Sequence, residues 1–274
     1  MLRFSGAGVS DVGLVRAANE DSAYVGPYLA VVADGVGGAA AGEVASATAA
    51  QAVVTTVQAG LGAAPDELLR EAAEAARARV QRGVQTDLTR LGMATTLTAV
   101  VCDGRRVVLG HVGDSRAYLL HEGRLTQLSR DHTYVQRMID SGRLDAAAAW
   151  RHPWRNVVLR SVDGDPVHDG IDVVTVSTAP GDRLLLCSDG LTDLVSDPVV
   201  AELLAKGPPG AAAAGLVQAA LAGGGLDNVT CVVLDIEEGP LVSGGGQLLG
   251  AVRESENVVG SGPLRASDMG NSRA

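Results

Sequence analysis

Short apolar runs alternate with turn-forming residues along most of the chain, and two longer stretches lack turn signals. Residues 28–33 predict a strand that stops at Asp34. Residues 42–61 are rich in Ala and Val without proline and predict a helix. Pro65 opens a second helix near Asp66 that runs to about residue 84. Residues 95–102 and 105–112 read as a hairpin around Asp103-Gly104, and 117–120 with 124–128 as another around Glu122-Gly123. Residues 171–176 and 183–187 are strands either side of Pro180-Gly181-Asp182. Helices at 199–205 and 210–221 precede a last strand at 229–236. Strands joined by short turns, with helices in pairs, point to an α+β fold in which helices cover antiparallel sheets.

Residues 133–158 break this pattern. A short helix at 134–140 is followed by Ser141-Gly142, an Ala-rich turn and His152-Pro153-Trp154-Arg155-Asn156, which reads as a flap beside a site. After residue 237 the composition shifts to Gly, Ser, Asn and Pro. The expected organisation is therefore one domain over residues 1–237 and a disordered tail over 238–274.

Composition narrows the function. Hydrophobic residues make up 46% of the chain but aromatics only 3%, so the core must be built from Val, Leu and Ala. A net charge of −10 repels phosphate backbones and argues against a nucleic-acid partner. It still permits an anionic substrate where bound divalent cations invert the local field. Cys102, Cys187 and Cys231 sit in apolar runs with no CxxC spacing and read as small buried hydrophobes in a reducing compartment. With no leader-like start and no run of about 18 apolar residues, the expectation is a cytoplasmic protein that does not enter a membrane. The absence of long heptads suggests a monomer.

Several apolar strands end at, or begin just after, an aspartate: Asp34, Asp114, Asp189 and Asp227. A carboxylate at a strand tip is held more rigidly than one on a loop. If these tips meet, the anions repel one another unless a cation neutralises them. Oxygen donors without His or Cys suit Mg²⁺ or Mn²⁺. Each Asp-Gly pair alone is most often a turn, so the weight falls on the joint order.

That order resembles the metal-dependent, type 2C protein phosphatases, bacterial branch. The matching stretches are Ser10 with Arg16, Asn19, Glu20 and Asp21; Asp34-Gly35-Val36-Gly37-Gly38; Gly113-Asp114-Ser115-Arg116; Ser188-Asp189-Gly190; and Asp227-Asn228-Val229-Thr230. Residues 130–132 and 152–153 of the flap also resemble the family. The resemblance implies a four-layer α-β-β-α sandwich with the flap beside the metal site. It implies that Asp34 bridges two metal ions, that the Gly35 carbonyl ligates one, and that Asp189 and Asp227 complete the other. Glu20 and Asp21 would act through metal-bound waters, and Arg16 would grip the substrate phosphate. Asp114 with Asp189 would hold a third, weaker ion, with Asn156 near it. The implied activity is Mn²⁺- or Mg²⁺-dependent hydrolysis of phosphoserine and phosphothreonine in proteins by an activated water without a phosphoenzyme, opposite a Ser/Thr kinase.

Two departures stand out. Val36 occupies the place where many relatives carry a histidine proposed as the leaving-group acid, and Arg160-Ser161-Val162-Asp163-Gly164 replaces a common Arg-Ala-Leu-Gly at the base of the flap. A phosphoprotein-binding module without turnover is disfavoured by the intact Asp34, Asp189 and Asp227. A phosphoesterase acting on a small metabolite stays open.

Overall fold

Why the strand runs look continuous rather than alternating becomes plain in the computed structural model, which describes residues 1–36, 41–149, 151–165, 170–242 and 245–260. The first strands are β1 (Leu2–Asp11), β2 (Asp21–Val25) and β3 (Leu29–Val36), followed by helices α1 (Gly42–Ala59) and α2 (Pro65–Thr86). Then come β4 (Ala94–Thr95), β5 (Leu97–Cys102), β6 (Val107–Val112), β7 (Arg116–His121) and β8 (Arg124–Gln127). Helices α3 (Tyr134–Asp140) and α4 (Ala146–Ala149) precede β9 (Asp172–Val176) and β10 (Arg183–Cys187). The order closes with α5 (Asp189–Thr192), α6 (Asp197–Leu204), α7 (Pro209–Ala222), β11 (Val229–Glu238) and β12 (Gln247–Gly250).

Among the described residues the named strands all pair antiparallel. One sheet runs β1-β11-β10-β7-β8, the other β12-β2-β3-β5-β6-β9, with β4 paired to β3. Ala30 and Val32 of β3 meet Leu184, Leu186, Val232 and Leu234 in a core between the sheets. Val31 and Ala33 face α1 and α2 in a second core, while Leu185, Cys187 and Cys231 face the helices from α5 to α7 in a third. Central strands are thus buried on both faces, which turns their pattern into unbroken apolar runs. The result is the expected α-β-β-α sandwich. α1 buries thirteen of its eighteen residues, and its alanines let it lie close to the sheet. The three cysteines are free and buried, as the sequence suggests.

Three features depart from the sequence reading. The Pro180-Gly181-Asp182 turn carries the chain from one sheet to the other, since β9 pairs with β6 and β10 with β7 and β11. β1, rich in Gly and Ser, gives no apolar run yet pairs with β11 along its whole length. The domain also continues beyond residue 237: β12 pairs with β2, and Leu249, Ala251, Val252 and Val259 are buried. Composition hid this segment because a few apolar residues among glycines suffice to cover the open edge of β2. Residues 261–274 lie outside the described residues. Among the described residues no helix is long and apolar enough to cross a membrane.

Ending the chain after residue 242 is expected to lower the thermal midpoint by about 10 °C or more, since three large apolar side chains lose burial worth roughly 1.5–3 kcal/mol each. An unchanged melting curve for that truncation would place β12 outside the folded unit.

Candidate active site

The two sheets bring their acidic strand ends together at one end of the sandwich. Asp21 on β2 stands directly opposite Asp34 on β3. The Asp34 peptide is held from two sides: its N–H donates to Thr96 Oγ1 (2.9 Å), and its carbonyl accepts from Thr96 N–H (2.9 Å) and Thr95 Oγ1 (2.8 Å). Thr96 Oγ1 also lies 2.8 Å from Ser115 Oγ, beside Asp114 in the β6–β7 turn. Across the sheets, Ser188 Oγ donates to Asp21 Oδ2 (2.7 Å) and accepts from Thr230 N–H (2.9 Å). Asp189 follows Ser188 at the start of α5. One serine hydroxyl therefore ties β2 to the β10 and β11 ends that carry Asp189 and Asp227.

Asn228 organises the loop before β2. Its Nδ2 donates to the carbonyls of Val12 and Ala18 (2.9 Å each), and its Oδ1 accepts from Glu20 N–H (2.8 Å). Gly13 in this loop has φ of 78°, and a Cβ there would stand 2.2 Å from the Asp227 carbonyl oxygen, so only glycine fits. The loop delivers Arg16, whose Nη2 donates to Asp227 Oδ2 (2.7 Å). Glu20 lies against the first residue of α1: a Cβ on Gly42 would come within 2.4 Å of its Oε2.

Crowding shifts these acids in one direction. Burial, followed by the charges of Asp227 and Glu20, pushes Asp21 up to about 6 despite the opposing hydrogen bond from Ser188. Burial and then Asp131 push Asp114 up to about 7. Asp34 and Asp189 are raised well above the carboxylate range, first by burial and then by neighbouring carboxylates: Asp21 first for Asp34, Asp114 first for Asp189. Asp21 Oδ1 is buried without a hydrogen-bond partner. Among the described residues no three acidic, imidazole or thiol groups close onto one point, so the protein supplies only part of any ion's ligand shell. An unpartnered carboxylate oxygen amid mutually repelling carboxylates, with no soft donor, fits hard divalent cations that keep several waters.

These shifts fix a sign. A carboxylate whose folded pKa is raised holds its proton in the folded state between about pH 4 and its new pKa, so its contribution to metal-free stability falls as pH rises through that window. Protons then compete with cations at Asp21 and Asp114 up to about pH 6 and 7. The gain in thermal midpoint on adding Mn²⁺ is therefore expected to be larger at about pH 7.5 than at about pH 5. A gain independent of pH, read by calorimetry, would show that these carboxylates are not the cation's ligands.

The flap borders the same region. α3 matches the short helix expected at 134–140, with Thr133 Oγ1 accepting from Gln136 N–H (3.2 Å) as its N-cap. Arg155 Nη2 and Asn156 Nδ2 both donate to Asp193 Oδ2, at 3.3 and 3.1 Å. Asn156 thus meets α5's C-cap residue and lines the same cavity as Asp114. A cavity of about 530 Å³ lies beneath, lined among others by Asp114, Gln136, Arg155, Asp189 and Leu226. At the base of the flap, Arg160 Nη2 and His132 Nε2 both donate to Asp172, at 2.9 Å each, and Leu159 N–H donates to the His132 carbonyl (2.7 Å). His132 Nδ1 accepts from Gly113 N–H (3.1 Å), bracing the turn that carries Asp114, and its ring stacks on His111. Sequence reasoning missed the positioning roles of Ser188, Asn228, Thr96 and His132, although the first two stand inside the quoted motifs. Gly37 and Gly38 lie outside the described residues.

A helix-covered double sheet with acidic strand ends gathered near an arginine has counterparts among known proteins. The chain belongs to the family described as Protein phosphatase 2C, whose sequence profile matches residues 17–222. It is 46% identical over 232 residues to the serine/threonine protein phosphatase PstP of Mycobacterium tuberculosis, an alignment covering 83% of this chain and 44% of PstP, so it spans less than half of that protein's length. It is 33% identical to the serine/threonine phosphatase stp of Listeria monocytogenes, covering 82% of this chain and 93% of stp. A solved structure of the PstP catalytic domain in complex with two manganese ions superposes with a TM-score of 0.81 at 41% identity, over 87% of this chain and all of that one.

Proposed function

We propose that the chain hydrolyses phosphoserine and phosphothreonine in proteins with Mn²⁺ or Mg²⁺. The observation that carries this reading is the meeting of acidic strand ends at one end of the sandwich, where Asp21 stands opposite Asp34, is tied through Ser188 to the ends carrying Asp189 and Asp227, and lies near Arg16 on Asp227. Asp34 and the Gly35 carbonyl would hold one ion, and Asp34, Asp189 and Asp227 the other. Asp114 with Asp189 would take a third, weaker one. The two manganese ions bound by the PstP catalytic domain support the first two of these sites. Bound there, the cations supply Lewis acidity that makes water a competent nucleophile near neutral pH and offsets charge developing on the phosphate.

The chain's own groups do the rest. Glu20 and Asp21 accept hydrogen bonds from water in the site and hold its orientation. Arg16, exposed and anchored only by Asp227, is free to turn its paired donors to the phosphate. Thr95, Thr96, Ser188 and Asn228 hold the acidic ends in register, which limits reorganisation during the reaction. Val36 offers no proton, so the leaving group draws on water or another acid. Phosphorylated proteins, with a Ser/Thr kinase as counterpart, are the proposed partners, and a cytoplasmic monomer is the proposed state.

The test is direct. With Mn²⁺ the protein is expected to hydrolyse a generic aryl phosphate and a phosphothreonine peptide, and a chelator is expected to abolish both. Mn²⁺-loaded protein that binds the peptide without turnover would instead make it a binding module. A strong preference for a small metabolite over every peptide would move it to another substrate class.

A further inference from the structure

Large apolar side chains exposed singly are ordinary. Here three lie within two residues of Arg16 or of its ion-pair partner Asp227 along the chain. Leu14 is 69% exposed, Val15 65% and Leu226 55%. They form one surface although two sequence segments supply them. Leu14 N–H donates to the Gly225 carbonyl at 2.8 Å, and a Cβ on Gly225 would stand 2.8 Å from Leu14 Cγ, so the Leu14 side chain lies over Gly225, next to Leu226. Leu226 in turn lines the cavity that reaches Asp189 and Asp114. Arg16 and Asp227, joined at 2.7 Å, follow Val15 and Leu226 in the chain.

We infer that Leu14, Val15 and Leu226 form an apolar shelf that receives an apolar side chain adjacent to the phosphorylated residue of a protein substrate. The inference rests on the phosphatase reading and deepens it. Consecutive Cα atoms stand about 3.8 Å apart, so a peptide whose phosphate meets Arg16 carries its neighbouring side chains to within one or two residues' reach of the shelf. Beneath the flap the cavity offers Asp114, Asp131 and Asp193, the latter two already paired with Arg116 and Arg155. Val135, Ile139 and Leu194 also line that cavity, whereas the shelf adjoins the phosphate grip at Arg16 and Asp227. No comparable demand comes from the fold, because neither leucine nor Val15 contributes to any of the three cores.

The experiment compares phosphothreonine peptides that differ only in Leu or Ser beside the phosphorylated residue, using the Mn²⁺-loaded full chain. The wild type is expected to favour Leu about tenfold in kcat/KM, the scale of one apolar side chain's discrimination. The double substitution Leu14→Ser with Leu226→Ser is expected to bring that ratio close to one, with aryl phosphate hydrolysis and the thermal midpoint unchanged. A wild type indifferent to the flanking residue, or a double variant that keeps the preference, overturns the shelf while leaving the phosphatase reading intact. Concentration-dependent self-association lost in the double variant assigns the surface to a second copy of the chain and also overturns it. Absence of aryl phosphate turnover in the wild type removes the phosphatase reading first, and the shelf with it.

Discussion

Replacing Asp34 with Asn is expected to lower phosphatase turnover by about a thousandfold or more and, at neutral pH, to raise the thermal midpoint of the metal-free protein. The two effects share a cause. Asp34 sits among Asp21, Asp189, Asp114 and Asp227, whose charges together with burial hold its pKa far above normal. That arrangement opposes the metal-free folded state and favours a bound cation. An amide keeps the shape and removes the ionisable group, so the folded state no longer has to take up a proton or bear the repulsion. It also removes the proposed bridge between ions, and losing one preorganised electrostatic element typically costs a hundredfold to a thousandfold. Asp189→Asn should behave alike, since its neighbours raise its pKa in the same way. Turnover with saturating Mn²⁺, Mn²⁺ titration calorimetry and melting of the metal-free protein separate the two effects. Full turnover in either variant would contradict the ligand assignment, and a lowered metal-free midpoint would contradict the electrostatic account.

Arg16→Ala is expected to reduce kcat/KM for phosphothreonine peptide by about 100-fold, the scale of a charge-assisted, paired contact to phosphate, with Arg16→Lys recovering part of it. Arg16 gives Asp227 Oδ2 one N–H at 2.7 Å, which leaves its other donors for a phosphate. Removing it frees Asp227, and Mn²⁺ affinity is expected to stay level or rise. Weakened Mn²⁺ binding with unchanged kcat/KM would recast Arg16 as a support for the metal site, acting through Asp227 on the cations alone.

The position of the flap follows from bonds that join distant segments. Asp193 accepts from Arg155 and Asn156, and His132 joins the base of the flap to the turn before Asp114. Arg160, the residue that the segment 160–164 shares with the common Arg-Ala-Leu-Gly, donates to Asp172 and fastens the flap to β9.

Much of this protein is written locally. The short helix at 134–140 with its Thr133 cap, Pro65 opening α2, and the Asp103-Gly104 hairpin need only neighbouring residues, so periodicity and turn chemistry reveal them. The acidic strand tips are equally visible, because an aspartate ending an apolar run stands out in any order of reading. Tertiary structure decided the rest. β1 and β12 exist because open edges of β11 and β2 accept backbone hydrogen bonds from segments with little pattern of their own. Pairing Asp21 with Asp34 depends on strand register, and linking Asp21 to Ser188 on how one sheet lies over the other. Chain-local preferences carry no record of either. The raised pKa values arise the same way, since burial and repulsion between carboxylates far apart in sequence come into being only when the sheets close.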